Sequence, residues 1–137
     1  MLISTKGRYA LRVMVDITLN GGGMPVSLRD VAERQEISVK YLEAIISTLV
    51  KAELVESFRG KAGGYKLARE ANDITVKDII EATEGTTVPV ECAGGACPRQ
   101  IGCVTAPLWS ELDRVVDDFL NGVTLKDVIN GNINRNI

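Results

Sequence analysis

Three cysteines could bind a metal or carry redox chemistry. They lie close together at Cys92, Cys97 and Cys103, in a chain that has no other cysteine and no histidine. Glycines stand beside them, and glycine lets a short loop turn sharply and approach an inorganic centre closely. An odd number of cysteines without a secretion signal argues against a disulfide framework. The segment therefore indicates a thiolate metal site or a redox-active thiol.

Three interpretations fit these cysteines, and spacing alone leaves all of them open. Zinc prefers four protein ligands from cysteine and histidine, so here it would be one ligand short. Two of the cysteines could form a thiol switch. An iron–sulfur cluster, either 2Fe–2S or 4Fe–4S, accepts a ligand other than cysteine. Without histidine, the remaining ligand of any metal would be a carboxylate, solvent or an atom of a partner chain.

The cysteines follow a front half of the chain that is basic. Residues 1–69 hold 11 Lys/Arg against 7 Asp/Glu, a net charge of +4, whereas residues 70–137 hold 5 against 11, a net charge of −6. This asymmetry suggests that only the front half meets a polyanion, although ordinary surface charge is the alternative. The apolar runs are far shorter than the ~20 residues of a membrane helix. With no signal peptide evident, we expect a cytoplasmic protein without membrane contact.

Apolar residues in the front half recur at helical spacing and predict three helices. We expect these helices over residues 9–19, 28–35 and about 39–52. Ser4 or Thr5 can cap the first helix, and Ser27 and Ser38 precede the second and third, where serine is typical of an N-cap. Two short helices joined by a tight turn form a helix-turn-helix.

A hairpin is predicted directly after the third helix. Residues 54–58 alternate as a strand, residues 59–64 form a basic, glycine-rich turn, and residues 65–67 return as a second strand. A hairpin after a recognition helix is a wing. We therefore predict a mainly α (α+β) fold, a winged helix-turn-helix with a long C-terminal dimerisation helix.

The rear half is predicted to hold a helix over residues 75–84, a long helix from Pro107 and a final short helix. The long helix carries an apolar stripe that could fold back on its own core or pair with a second chain. We favour a homodimer, because DNA-binding proteins of this size commonly bind as two-fold symmetric pairs. The expected parts are a winged-helix DNA-binding domain at 1–84, a cysteine cluster-binding loop at 85–106, and a dimerisation helix with a short C-terminal helix at 107–137.

Side chains at the start of the third helix and at the hairpin tip are predicted to bind a double-stranded DNA operator. Lysine can donate to guanine or phosphate, and glutamate can accept from cytosine. The alternatives are an ion pair of Glu43 with Lys40 or Lys51, and a hairpin tip that is merely solvated. The candidates are Ser38, Lys40, Tyr41 and Glu43 in the third helix, Arg59 and Lys61 in the wing, and Arg8 in the first helix.

Catalysis has little support in this sequence. The absence of histidine removes Ser-His-Asp and Cys-His arrangements. The glycine-rich turn at residues 59–64 fits neither a P-loop nor a dinucleotide fingerprint. We expect a protein that is not an enzyme. A small electron-transfer protein would use the same cluster without DNA, and the basic wing speaks against it.

Residues 3–10, 37–43 and 59–67 closely resemble the IscR-like iron–sulfur cluster regulators, a family of winged-helix transcription factors. The resemblance covers almost the whole chain and implies a bacterial homodimer that regulates genes of iron–sulfur cluster assembly. It favours the iron–sulfur cluster among the three interpretations. Other branches of the family imply a nitric-oxide or redox sensor, or a metal-independent repressor of cysteine metabolism. The residues implied are Cys92, Cys97 and Cys103 as cluster ligands, Lys40, Tyr41 and Glu43 as recognition-helix positions, and Arg59 as the wing arginine.

The chain departs from the family pattern at three places. Ala106 stands where the IscR-like pattern has a histidine, and Arg8 occupies the region where another branch has an acidic ligand. Glu53 replaces a usual glycine after the recognition helix, where a left-handed backbone would be modestly strained. The fourth cluster ligand is therefore open. The candidates are Glu91, Glu111, Asp16, Thr105, and exogenous solvent or thiol.

Overall fold

The computed structural model describes residues 3–90 and 101–133, and these residues form a mainly helical winged helix-turn-helix with a C-terminal helix, as predicted. A short 3-10 helix that the sequence analysis did not predict lies between the wing and the fourth α-helix. The elements in chain order are α1 (Thr5–Gly21), α2 (Leu28–Gln35), α3 (Val39–Lys51), β1 (Val55–Phe58), β2 (Gly64–Leu67), the 3-10 helix (Ala71–Asp73), α4 (Val76–Glu84), α5 (Ala106–Gly122) and α6 (Leu125–Asn130).

Helix caps set where these helices begin. Ser27 and Ser38 each accept a hydrogen bond from the third backbone N–H of the helix that follows. Thr75 and Thr124 form complete capping boxes, in which the aspartate three residues later bonds back to the threonine N–H. Each cap satisfies backbone groups that a helix end leaves unpaired. The bounds of α2 are therefore those predicted.

Helix α1 is longer than predicted. We expected residues 9–19, with Ser4 or Thr5 as the cap. Ser4 is the cap, accepting from Gly7 N–H at 3.2 Å, and the helix already begins at Thr5. It ends at Gly22, whose φ of 55° is left-handed and favours glycine. The extra first turn carries no apolar periodicity, so periodicity alone does not reveal it.

One aliphatic core lies between α1, α3 and α4. Its residues come from the apolar faces of the helices and from the first residue of β1, as the periodicity predicts. Burial of such side chains contributes about 25 cal/mol per Å² of apolar surface. The largest fully buried side chains are Met14, Leu42, Ile45, Leu49, Leu54, Ile74, Ile79 and Leu125.

The wing hairpin is tied to the chain before α2. Strands β1 and β2 pair antiparallel, with Val55 opposite Leu67 and Phe58 opposite Gly64. Val26 adds a further bridge, since its N–H and C=O each bond to Tyr65 at 2.8 Å. A Cβ on Gly64 would lie 2.3 Å from the Val26 carbonyl oxygen, so only glycine fits there. The base of the wing is thereby fixed to the helix-turn-helix.

Helices α5 and α6 close the described chain against α4. Thr75 and Thr124 form a β-bridge, flanked by hydrogen bonds of 2.8 Å from Val76 to Val123 and from Leu125 to Ile74. A small second cluster forms here from Val76, Ile80, Leu120 and Val123. Among the described residues, no helix is both long and apolar enough to cross a membrane.

Candidate nucleic-acid interface and cluster site

The start of α3 presents polar side chains to solvent. Ser38 caps the helix, and Lys40 and Glu43 are exposed on its first turns. Glu43 makes no ion pair within residues 3–90 and 101–133, so neither Lys40 nor Lys51 neutralises it there. An exposed helix N-terminus with hydroxyl and lysine groups suits phosphate and base contacts.

Tyr41 is positioned by α1 as well as by its own helix. It is half-buried and packs against the core, and its ring meets the Tyr9 ring edge-on, with centroids 6.0 Å apart. The guanidinium of Arg12 lies 4.9 Å from the centre of the Tyr9 ring. Such aromatic and cation–π pairs have defined geometry. Helix α1 therefore supports the start of the recognition helix.

Three further basic side chains predicted to bind DNA lie elsewhere on the surface. Arg8 is exposed at the start of α1 and donates to the Thr5 hydroxyl at 3.2 Å. Arg59 and Lys61 are exposed at the hairpin tip, next to Gly60 with its positive φ of 103°. A hollow of about 340 Å³, lined in part by Glu43, lies between α3 and the wing. Helix α3 and the wing thus border one concave surface.

An ion pair between the buried carboxylate of Asp16 and the exposed Arg34 fastens α1 to the end of α2, and the sequence did not predict it. Asp16 is only 2% exposed and accepts from Arg34 Nε at 3.0 Å, Arg34 Nη2 at 2.7 Å and Gln35 Nε2 at 2.8 Å. Arg12 also donates to the backbone oxygen of Gln35 at 2.7 Å. An aspartate on a helix is usually solvated, and its partners here are 18 and 19 positions away in the sequence. Residue spacing therefore does not predict this network.

The network also determines the acidity of Asp16. Burial acts to raise the pKa of Asp16, but the hydrogen bonds from Arg34 and Gln35 outweigh it and hold the pKa below its usual value. The carboxylate is therefore ionised and already coordinated by protein donors. Of the candidate fourth ligands, Asp16 is the one whose oxygens are bonded inside the fold.

Only one of the predicted cysteine ligands lies in the described part of the chain. Cys92, Cys97 and the candidate ligand Glu91 lie outside the described residues. Cys103 is half-buried, and its Sγ lies 3.3 Å from the Thr105 hydroxyl oxygen. This hydrogen bond, followed by bonds to backbone groups of Thr105 and Ala106, lowers the pKa of the Cys103 thiol. A thiol that ionises readily suits a metal or cluster ligand.

The remaining candidate ligands differ in their availability. Glu111 forms an ion pair with Arg114 on the exposed side of α5, which lowers the pKa of Glu111. Thr105 is the candidate in contact with Cys103. Among the residues that the structure describes, no group of three His, Cys, Asp or Glu side chains could hold a metal ion.

An apolar face of α5 continues from the cysteine segment, which we define as residues 85–105. Leu120, near the C-terminal end of α5, is 7% exposed, whereas Leu112 is 38% and Leu108 is 59% exposed. Ile101 and Val104, just before the helix, are almost fully exposed. Leu120 therefore folds back on α4, whereas Leu108, Leu112 and Phe119 face solvent in the single chain, and the pairing with a second chain stays a prediction.

The backbone after α3 is left-handed at Glu53, the position where the sequence analysis expected modest strain. Glu53 has a φ of 60°, the conformation for which glycine is preferred. Glu36, in the turn of the helix-turn-helix, has a φ of 54°. Both glutamates end a helix in the position that typically carries glycine or asparagine.

Comparison with known proteins extends over nearly the whole chain. The family model described as "Rrf2: Iron-dependent Transcriptional regulator" matches residues 3–131. The protein rrf2 of Nitratidesulfovibrio vulgaris is 43% identical over 131 residues, covering 94% of this chain and 87% of that protein. The HTH-type transcriptional regulator IscR of Photobacterium profundum is 42% identical over 133 residues, covering 96% of this chain and 77% of that protein.

The fold is also found in a solved regulator. The structure of CymR, the global cysteine regulator of B. subtilis, superposes with a TM-score of 0.82 at 37% identity, covering 96% of this chain and 98% of that one. The likeness includes the winged helix and the C-terminal helix, so it spans both the surface predicted to read DNA and the end of the cysteine segment.

Proposed function

The chain belongs to the Rrf2 family of DNA-binding transcriptional regulators, and on that premise we propose that an iron–sulfur cluster on Cys92, Cys97 and Cys103 controls its affinity for DNA. We further propose that it acts as a homodimer on a two-fold symmetric operator, at genes for iron–sulfur cluster assembly. Membership in this family of regulators confirms the prediction that the protein is not an enzyme.

The observation that carries the proposal is the place of Cys103. Cys103 lies near the end of the cysteine segment, three residues before Ala106, where α5 begins. The pKa of this thiol is lowered by Thr105, which favours the thiolate form that binds metal. The exposed apolar end of α5 follows at once, at Leu108 and Leu112. A change at Cys103 would therefore act next to the surface we assign to the dimer.

The cysteines of the chain are of the kind that binds an iron–sulfur cluster. Cys103 would supply one thiolate, and Cys92 and Cys97 the other two. Thr105 is the candidate for the fourth position that contacts a cysteine in the described structure. When bound, the cluster supplies a centre whose presence and oxidation state respond to iron and redox conditions. The chain's own part is to hold α5 and the winged helix in one orientation.

For DNA, we propose that α3 enters the major groove and the wing meets the adjacent minor groove. The exposed groups at the start of α3 are Ser38, Lys40 and Glu43, and Tyr41 is held there by Tyr9. Lys40 would donate to a base or phosphate, and Glu43 would accept from a cytosine amine. Two copies related by a two-fold axis would address half-sites about 34 Å apart.

The cluster proposal is tested by anaerobic purification followed by absorption spectroscopy and analysis of iron and sulfide. We expect coloured protein with bound iron and sulfide, and Cys103→Ala should lose most of both. Thr86→Ala, at an exposed hydroxyl elsewhere in the same segment, is the matched control and should keep them. Colourless, iron-free protein that still binds its operator specifically would refute the cluster.

The wing proposal is tested by Arg59→Ala in a binding assay at fixed salt. Loss of an arginine that contacts DNA should weaken operator binding by about 1–3 kcal/mol, roughly ten- to hundredfold. Lys126→Ala, an exposed lysine on α6, removes the same charge far from the wing and should change little. Equal effects of the two substitutions would show that Arg59 contributes only general charge.

Glu43 has a separate test, because its proposed contact is with a base. Glu43→Ala should relax sequence preference at one base pair, with little change elsewhere in the site. Selection of binding sites from a randomised operator would reveal this directly. An unchanged preference would leave Glu43 as a solvated surface charge.

A second candidate function is thiol-based sensing without a cluster. It is favoured by the lowered pKa of the Cys103 thiol and by the fold shared with the cysteine regulator CymR. In that case the protein would purify without iron, and mild oxidation would change its affinity for DNA. Reduction by dithiothreitol would then restore the original affinity, whereas a lost cluster would not be restored by thiol alone.

A further inference from the structure

Glu84 connects the start of the cysteine segment to the start of α1. It is the last residue of α4, and its Oε1 accepts from the Ser4 backbone N–H at 3.0 Å and also from the Ser4 hydroxyl. Ser4 is the N-cap of α1. A carboxylate beside a helix N-terminus is further stabilised by the helix dipole. One side chain therefore closes the end of α4 onto the beginning of α1.

Gly7 leaves the space that this contact needs. A Cβ at Gly7 would lie 2.6 Å from Glu84 Oε1 and 3.2 Å from Ile3 Cγ2. Gly7 lies within α1, where alanine would otherwise be more stable than glycine. The close approach of the Glu84 carboxylate thus accounts for a glycine at a position that otherwise disfavours it.

The first turn of α1 leads directly to groups assigned to DNA. Arg8 is exposed one residue after Gly7, and the next residue, Tyr9, packs against Tyr41 of α3. A shift of this turn would move the Arg8 guanidinium and change the support of Tyr41. The Glu84 contact is therefore placed to influence two separate parts of the candidate DNA surface.

The body of α4 is held in place by packing and an ion pair, whereas its last turn lies next to the cysteine segment. Ile79 and Ile80 are buried, and Lys77 forms an ion pair with Asp117 of α5. Gly85, the first residue of the cysteine segment, then takes a left-handed conformation with φ of 80°. The bonds between Glu84 and Ser4 are exposed to solvent, so water can replace them at small cost.

We propose that Glu84 is a positioning residue that couples the state of the cysteine segment to DNA binding, by making or breaking its hydrogen bonds to Ser4. The inference rests on the proposed function. It requires two arrangements of the α4 end, one that caps α1 and one that does not, with different affinities for the operator.

The test compares operator affinity of cluster-free and cluster-loaded protein at fixed salt, expressed as the ratio of the two Kd values. Coupled sites typically show ratios of about 5- to 150-fold, which we expect for the wild type. Glu84→Ala should bring the ratio to within about twofold of 1, because the link is lost. Glu84→Gln keeps a hydrogen-bond acceptor, so its ratio of Kd values should lie between those of the wild type and Glu84→Ala.

The matched control is Glu81→Ala, at an exposed glutamate one turn earlier on α4 whose side chain makes no hydrogen bond within the described residues. It should keep the wild-type ratio. Gly7→Ala is the second variant, since its methyl would displace the Glu84 carboxylate without removing it. It should lower the ratio as Glu84→Ala does, and it remains informative if Glu84→Ala fails to fold.

A readout on cluster-free protein is independent of cluster loading. Hydrogen exchange of the Ser4 and Gly7 amides should be about tenfold or more faster in Glu84→Ala than in Glu81→Ala, because local opening of the first turn becomes easier. The amides of α3 should exchange at the same rate in both. Equal exchange at Ser4 and Gly7 would show that the contact does not form in solution, and would overturn the inference.

The outcomes separate this inference from the proposed function. A wild-type ratio well above 1 that Glu84→Ala leaves unchanged overturns the inference alone. Equal weakening of both forms by Glu84→Ala also overturns it, since a simple helix cap would do the same. A wild-type ratio of 1 with cluster bound overturns the proposed function and, with it, the coupling that Glu84 would transmit.

Discussion

The winged-helix part, residues 3–84, and helix α5 bury their apolar residues very differently. In the first, the apolar faces of α1, α3 and α4 meet in one core, with Leu49 and Ile79 fully buried. In α5, Leu120 is buried against α4, while Leu108 and Leu112 face solvent in the single chain. The core of the first part is buried within one chain, and Leu125 of α6 contributes to it. Helix α5 has an apolar face that a single chain covers only in part, since Phe119 beside Leu120 is also 38% exposed.

This difference indicates how stability and regulation are divided in the molecule. No residue of α5 belongs to that core, so the groups that we propose to contact DNA can stay in place when the surroundings of α5 change. An apolar face that is only partly covered is typical of a surface that meets another chain. Regulation through α5 would then change how two DNA-reading units are arranged, and would leave each unit folded.

The largest expected effect breaks the core of the winged-helix part. Leu49→Ala should lower the free energy of unfolding by about 3 kcal/mol, because a fully buried leucine leaves a cavity. Urea denaturation followed by circular dichroism measures this. Leu19→Ala is the matched control, since Leu19 is 63% exposed and should change stability by less than about 0.5 kcal/mol. Similar losses in both would mean that the core is not where we place it.

The next effect concerns the exposed face of α5. Leu112→Glu should raise the Kd of the proposed dimer by about a hundredfold, roughly 2.7 kcal/mol, because each copy would place a carboxylate in the apolar face that we propose meets the second chain. Analytical ultracentrifugation measures the Kd, and helical content should stay unchanged. Ser110→Glu places the same charge on the opposite, exposed side of α5 and should leave association intact. A dimer insensitive to Leu112→Glu would place the interface elsewhere.

The smallest expected effect comes from breaking ion pairs, one in the winged-helix part and one on α5. Asp16→Asn should lower stability by about 2 kcal/mol at neutral pH, because Asp16 is buried and bonded to Arg34 and Gln35. Asp118→Asn removes an exposed carboxylate paired with Arg114 on α5 and should have no measurable effect. Urea denaturation of both variants beside the wild type provides the comparison.

The pH dependence of the Asp16 effect has a defined sign. Because the folded-state pKa of Asp16 is lowered, its contribution is complete above the unfolded pKa of about 3.9 and is lost as pH falls through the folded-state value. The stabilities of wild type and Asp16→Asn should therefore converge in acid. A difference that stays constant at low pH would mean that the loss comes from packing and not from charge.

Sequence reasoning succeeded where local chemistry decides structure. Ser27 and Ser38 were predicted as caps and act as caps, which fixed α2 at its predicted bounds and the start of α3. The hairpin followed from alternation and a glycine-rich turn, and it pairs as expected. These features depend on residues close together in sequence, and local preferences are strong there.

The failures involve residues far apart in sequence. The early start of α1 is accompanied by a contact from Glu84, 80 positions away, and the Asp16 network joins residues 18 and 19 positions apart. The Val26 bridge to Tyr65 is likewise long-range. For the candidate site, the surface positions of Lys40, Glu43 and Arg59 could be predicted from their place in the elements. The fourth cluster ligand could not, because it depends on how distant segments come together.

The anchored base of the wing has a consequence for how related proteins can diverge. Gly64 touches the Val26 backbone, so a residue inserted at the base would break both bridge hydrogen bonds. The constraints at the tip lie within the hairpin itself: Gly60 has a φ of 103°, and a Cβ on Gly63 would lie 2.3 Å from the Phe58 carbonyl oxygen, but neither glycine contacts the helix-turn-helix. Changes in hairpin length should therefore accumulate at the tip. Natural variation and engineering could then alter how far the wing reaches along DNA while α3 keeps its alignment.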